Sequence, residues 1–125
     1  MTQRGKMLGA FEEAVLLALV RLGPDAYGMR VRRLLAERLE RDVSIGAVYA
    51  TLERLQAKDY VEASDGEGNE ARGGRGRRFF SLSAAGADAL LEARRIRLST
   101  WEDIEPETVL DAASLRTAVP EVGRS

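Results

Sequence analysis

Gly73-Gly74-Arg75-Gly76-Arg77-Arg78-Phe79-Phe80-Ser81-Leu82, with Arg72 just before it, sets four positive charges beside three glycines and then closes into an apolar strand. Glycine lets a backbone bend and approach another surface closely, and arginine supplies a planar, permanent cation. An Arg-Gly tip feeding a strand is a flexible cationic hairpin end, suited to lie against a polyanion. Alone, the stretch also fits a solvated charged loop paired with Glu67 and Glu70. The segments before it decide between the two.

Upstream, Leu8 to Leu22 reads as a first helix. Phe11, Ala14, Val15, Ala18, Leu19 and Leu22 recur at steps of three and four, and Leu16, Leu17 and Val20 widen the apolar stripe almost all the way round. A helix apolar on most of its surface is buried on more than one side, which in a small domain points to a partner subunit. Gly23-Pro24-Asp25 stops it. Tyr27 to Leu39 reads as a second helix with Tyr27, Val31, Leu34, Leu35 and Leu39 inward; its exposed Arg30 and Arg33 fit solubilising charges or clamps on a phosphate backbone. Ser44, a good N-cap residue, opens a third helix running from Ile45 to about Lys58.

That third helix has inward positions Ile45, Val48, Leu52 and Leu55. At 100° per residue, Gly46, Ala50, Glu53 and Ala57 lie opposite, flanked by Ala47, Tyr49 and Arg54. The exposed first turns are thus small, with one aromatic hydroxyl beside them. Gly46 lowers helix propensity by about 1 kcal/mol relative to alanine, so close approach to another surface explains it better than local stability does. Tyr60, Val61 and Ala63 begin a strand, and Arg78, Phe79, Phe80 and Leu82 return it as a hairpin with a mobile tip. Ser83 caps a fourth helix from Ala84 to about Ser99 with Ala87, Leu90, Leu91 and Leu98 on one side; Trp101 continues that phase. A weak helical segment is expected beyond Pro106, and fraying from Pro120 onward.

Composition narrows the function. The 125 residues make room for one small domain, and they include no cysteine and no histidine. That removes disulfides, thiolate metal sites, the thiol nucleophile, the usual general base and the commonest metal ligand. Neither an enzyme nor a metal or other cofactor is expected, and Glu12, Glu13 and Asp25 do not form a recognisable catalytic pair. The longest apolar run, Ala14 to Val20, is far short of the ~20 residues that span a bilayer, and no cleavage-like site follows it. A cytoplasmic location without membrane association is the expectation. The net charge is −1, but residues 1–100 hold 17 basic against 14 acidic side chains, and it is local charge that governs docking on phosphates.

Three helices, a two-stranded hairpin and a further helix make a mainly α fold with a small β-hairpin wing, a winged helix-turn-helix followed by a C-terminal helix. In such a fold the third helix enters the major groove, where small side chains allow close approach, and the wing lies across the backbone or minor groove. The N-terminal amides of the third helix favour a phosphate near Ser44. The expected partner is double-stranded DNA. A winged-helix module that docks proteins instead uses the same small face; neutralising the wing arginines discriminates, because it abolishes salt-sensitive DNA binding but not protein docking.

Tyr27-Gly28, the run Ser44-Ile45-Gly46-Ala47-Val48-Tyr49-Ala50-Thr51-Leu52-Glu53-Arg54-Leu55, and the hairpin strand continuing into Ser83-Ala84-Ala85-Gly86 resemble the PadR-type transcriptional regulators, in the right order and spacing over about residues 8–98. The resemblance implies a homodimeric repressor on a two-fold operator, with the C-terminal helix packed on the partner's N-terminal helix, and a short branch with a single C-terminal helix. It also implies that some relatives answer to small aromatic compounds near the dimer interface. Ala50 and Gly76 stand where proline is common in the family, and Asp59 where glycine is frequent.

The expected organisation is a DNA-binding domain at 8–82, a dimerisation helix at 83–105 and an acidic tail at 106–125. The residues assigned to DNA are Tyr27, Ser44, Gly46, Ala47, Tyr49, Ala50, Arg54, Arg72, Arg75, Arg77 and Arg78. Those assigned to a dimer interface are Phe11, Leu16, Val20, Leu90, Leu91, Leu98 and Trp101. Trp101 also offers a flat surface on which a small aromatic effector could stack. The Leu90, Leu91, Leu98 stripe fits either an intrachain core or a dimer seam, and a helix leaving a small domain favours the seam.

Overall fold

The computed structural model describes residues 7–66 and 77–114. Five helices and one hairpin account for nearly all of them: α1 (Ala10–Leu22), a 3-10 turn (Gly23–Asp25), α2 (Gly28–Leu39), α3 (Ile45–Ala57), β1 (Val61–Asp65), β2 (Arg78–Leu82), α4 (Ala84–Trp101) and α5 (106–114). The described residues fall into two compact units divided between Ala93 and Arg94. The expected mobile wing tip and frayed tail lie outside the described residues.

In the first unit the core is built from one face of each helix. Val15, Leu16, Ala18 and Leu19 of α1 meet Val31 and Leu35 of α2 and Val48, Leu52 and Leu55 of α3, with Val61, Phe80 and Leu90 closing the far side. These are the positions that the three- and four-residue spacing predicts. Leu39, expected inward, is 37% exposed, and Leu16 and Leu90 depart from the sequence reading in the other direction. Both are buried within the single chain, Leu16 completely, so they have next to no surface to offer a partner. The α1 stripe is too wide for one core, and the excess appears at Leu17 and Val20, which are exposed.

Local signals set the helix ends. The α1 N-terminus is closed by Glu12, whose Oε1 accepts from the Gly9 amide at 2.9 Å. Ser44 Oγ accepts from the Ala47 amide at 3.0 Å, the cap expected at the start of α3. At the other end of α3, Asp59 is left-handed (φ 67°), with the Asp59 amide donating to Gln56 O and the Tyr60 amide to Leu55 O, both at 2.9 Å. Those two bonds form a Schellman motif, where glycine is usual. Asp fits because its short side chain tolerates that region better than most.

The wing is antiparallel, with Val61 opposite Leu82 and Asp65 opposite Arg78. The far edge of β2 is not bare. Tyr27 bridges Phe79, and the Phe80 amide donates to Ala26 O at 2.9 Å, so the two residues before α2 act as a short third strand. Ser83 then turns the chain into α4: its Oγ donates to Asp59 O at 2.6 Å and accepts from the Gly86 amide at 2.9 Å. Gly86 lies directly on the Tyr60 carbonyl, where a Cβ would overlap it. The glycine in Ser83-Ala84-Ala85-Gly86 is therefore a close-approach residue that seats α4 on the root of the wing.

In the second unit the side chains of residues 97–114 are exposed, including Leu98, Trp101, Ile104, Val109 and Leu110. The C-terminal part of α4 runs two residues past the expected end, and the segment beyond Pro106 is helical as its pattern predicts.

Candidate nucleic-acid interface

The α3 surface comes out as the helical wheel requires. Val48, Thr51, Leu52 and Leu55 are buried, whereas Gly46, Ala47, Ala50, Glu53, Arg54 and Ala57 are exposed. The first two turns thus present a low, smooth face. Ser44 stays exposed at the helix start while its hydroxyl is committed to the Ala47 amide. The positive end of the helix dipole and the first-turn amides point out beside it, an arrangement suited to a phosphate.

Tyr49 flanks the small face, as its position on the wheel requires. It is 39% exposed, but its ring lies down instead of standing on the exposed face. The hydroxyl edge rests on Gly28 at the start of α2, and the ring meets Phe80 of β2 edge-on at 6.4 Å between centroids. Half of the side chain is thus structural. The signal available in the sequence was the glycine of Tyr27-Gly28, an odd choice for a first helical position unless something must come close.

Tyr27 and Arg77 form the second part of the surface. The Arg77 guanidinium sits 4.2 Å from the centroid of the Tyr27 ring, and that ring meets Phe79 edge-on at 5.6 Å. A cation over an aromatic face at an exposed site is worth about 0.5–1 kcal/mol. The stack holds Arg77 in place at the root of the wing and lowers the entropy lost on docking. Arg78 is exposed and stands opposite Asp65 in the register. Arg72 and Arg75 lie outside the described residues.

Arg54 turns away from the bare face. Its Nε is 3.7 Å from Glu12 Oε2 and its Nη2 donates to Thr51 Oγ1 at 3.2 Å. Lys58 joins the same carboxylate at 3.1 Å. Burial alone would push the Glu12 carboxyl up. The hydrogen bonds from the Gly9 amide and Lys58, with the charges of Lys58 and Arg54, outweigh it and hold the group below its ordinary 4.5. This α1–α3 strap was not foreseen from the sequence, because its partners are 46 residues apart. On α2, Arg30 is paired with Asp25 at 2.9 Å. Among the described residues no group of acidic side chains could hold a metal ion, and no helix is long and apolar enough to cross a membrane.

No curated protein matches the chain. Solved structures do. The hsRosR-S4 complex superposes with a TM-score of 0.62 at 27% identity, covering 88% of this chain and 94% of the other. A PadR family transcription regulator from Clostridium difficile R20291 gives 0.58 at 21% identity, covering 83% and 97%. Bordetella bronchiseptica BpsR, whose DNA binding is regulated by 6-hydroxynicotinic acid, gives 0.56 at 22% identity, covering 88% and 77%. Residues 16–92, well over half of the sequence and most of the first unit, match the transcriptional regulator PadR-like family. With its winged-helix fold, the chain belongs to that family of regulators, which are not enzymes.

Proposed function

We propose that the protein is a cytoplasmic, homodimeric repressor that binds double-stranded DNA sequence-specifically by inserting the first turns of α3 into the major groove while the wing crosses the backbone. The observation that carries this reading is the pairing of two surfaces: the bare Gly46-Ala47-Ala50 face and, at the wing root, the Arg77 guanidinium stacked on Tyr27. The first admits a helix to a groove; the second brings positive charge to phosphates. Ser44, with the helix dipole behind it, supplies a second phosphate contact, and the remaining wing arginines add charge.

Dimerisation would give two such helices one helical turn apart on a two-fold operator. Exposed apolar side chains support a seam: Val20 and Leu91 in the first unit, Leu98 and Trp101 in the second. Phe11, half-buried, contributes its exposed edge. Release by a small aromatic effector, with Trp101 as a stacking surface, is the regulatory arm of the proposal; the likeness to BpsR supports it.

The test is a mobility shift on the promoter DNA upstream of the protein's own gene at two salt concentrations. Each phosphate neutralised contributes about −0.9 to the slope of log affinity against log salt. Binding should weaken steeply with salt and be lost when Arg75, Arg77 and Arg78 become alanine. Failure to bind any duplex at low salt overturns the reading, and sedimentation that reports a monomer at every concentration removes the two-fold operator.

A further inference from the structure

We infer that Gly28 is a positioning residue for DNA binding: by having no side chain it lets the Tyr49 ring lie flat, which keeps the face of α3 clear. The inference rests on the DNA-binding reading above and adds a residue on another helix to it.

Gly28 is the first residue of α2 and is buried. Its backbone is not in the left-handed region, so conformational freedom does not explain the glycine. As a helix former glycine is inferior to alanine by about 1 kcal/mol, so helix stability does not explain it either. Space does. A Cβ built on Gly28 would overlap the hydroxyl oxygen, Cζ and Cε2 of Tyr49. All three atoms belong to the end of one ring, so the ring itself has to shift to admit a methyl group. The ring also meets Phe80, itself 5% exposed in the core, edge-on, so its core side is occupied. The side open to a displaced ring is the solvent side, where Tyr49 is already 39% exposed.

Outward is the DNA-facing side. Tyr49 follows Gly46 by three residues, so the two are neighbours on the helix surface. A phenol swung out from Gly28 would stand beside or over the low patch to which Gly46 belongs. One methyl group at the start of α2 would therefore obstruct a surface on α3 that it does not touch. Tyr49 in its present position reaches from α3 to Gly28 of α2 and Phe80 of β2.

A double-mutant cycle on DNA binding isolates this effect. Gly28→Ala, Tyr49→Ala and the double variant are titrated onto the same promoter duplex, with a thermal melt of each. Gly28→Ala alone should weaken binding about tenfold, equivalent to roughly 1.4 kcal/mol. In the Tyr49→Ala background the same methyl has an empty space to fill and should change affinity less than about twofold. If Gly28→Ala alone fails to fold, restoration of the fold by adding Tyr49→Ala supports the seat directly. An equal loss of affinity in both backgrounds overturns the inference. A second measurement is independent of DNA: the Tyr49 ring current should shift the Gly28 α-protons in the wild-type NMR spectrum, and Tyr49→Ala should remove that shift. An unchanged shift refutes the seat. If the shift behaves as expected but the wild-type chain binds no duplex at low salt, the DNA reading fails and Gly28's part in binding fails with it.

Discussion

The two ends of α3 are built to opposite specifications. At the N-terminal end the exposed side chains are minimal, Gly46, Ala47 and Ala50, and the one large neighbour, Tyr49, is laid against Gly28. At the C-terminal end the side chains are long, charged and engaged. Arg54 and Lys58 converge on Glu12 of α1, and a Schellman motif closes the helix. A helix that enters a groove needs clearance where it touches and rigidity where it does not. This one divides the two requirements along its axis, so stability and binding should respond to different residues.

The largest effect should come from what both ends share. Leu52 is completely buried on the inner face between them. Leu52→Ala removes its contacts and leaves a cavity, costing about 2–5 kcal/mol, a large part of the 5–15 kcal/mol that typically holds a domain folded. Denaturant titration measures it. A cost below about 1 kcal/mol would mean that the strap and caps, not the core face, hold α3.

Ala47→Glu separates the ends. Ala47 is the third residue of α3 and its amide already donates to Ser44 Oγ, so a glutamate there completes a capping box and sits near the positive end of the helix dipole. Stability should rise by about 0.5 kcal/mol. DNA binding should fall by at least about 100-fold, because a carboxylate then faces phosphates in place of a methyl group. A change of opposite sign in the two properties is hard to obtain unless this face is the contact. If affinity and stability fall together, the division along the helix is wrong.

How much of this was legible in the sequence depends on how local each signal is. The α3 wheel was readable because four buried and six exposed positions follow from a single period, and Ser44 as a cap follows from one side chain and the amide three residues on. Asp59 was legible as a glycine-like position only through the resemblance, which has glycine frequent there. Three features were not. Leu16 and Leu90 looked like seam residues, since an over-wide stripe does not say which of its members face the chain's own core. The seat of the Tyr49 ring was not legible, because a helical wheel gives the direction of Cβ and not the rotamer that a gap at Gly28 permits. The Glu12 strap depends on α1 and α3 meeting at particular ends, which is a product of packing.

Glu12→Gln probes the anchored end alone. Gln keeps an oxygen for the Gly9 amide but loses the charge that Lys58 and Arg54 share. The cost at neutral pH should be about 1 kcal/mol, modest because Arg54 is more than half exposed and water screens its part. The pH dependence has a definite sign. Because the folded-state carboxyl titrates below its ordinary 4.5, its contribution is present above that value and is lost as pH falls through the folded value. Wild-type and variant melting temperatures should therefore differ near neutrality and converge as pH falls through the folded value. A gap that persists in acid would show that the charge is not what the strap uses. Affinity for DNA should change little, since the strap lies away from the bare face.

Asp59→Gly is the finest of these probes, because it alters the backbone preference at the anchored end while the bond that Ser83 makes to the Asp59 carbonyl stays. Asp59 holds φ at 67°, a conformation that costs an L-residue roughly 1–2 kcal/mol in general and Asp somewhat less. Glycine enters it freely, but a glycine also gives the unfolded chain more conformations to lose, worth about 0.4–1 kcal/mol against the variant. The difference is small and positive: Asp59→Gly should stabilise the fold by about 0.5 kcal/mol, read as a higher denaturation midpoint with an unchanged slope. The Ser83 hydroxyl keeps its acceptor, because the bond is to the Asp59 carbonyl and not to its side chain. The more informative readout is binding. If clearance and rigidity are truly divided along α3, tightening the C-terminal end should leave DNA affinity unchanged to within about twofold. A larger change would mean that flexibility at the anchored end is transmitted to the contacting end, and that α3 works as one lever.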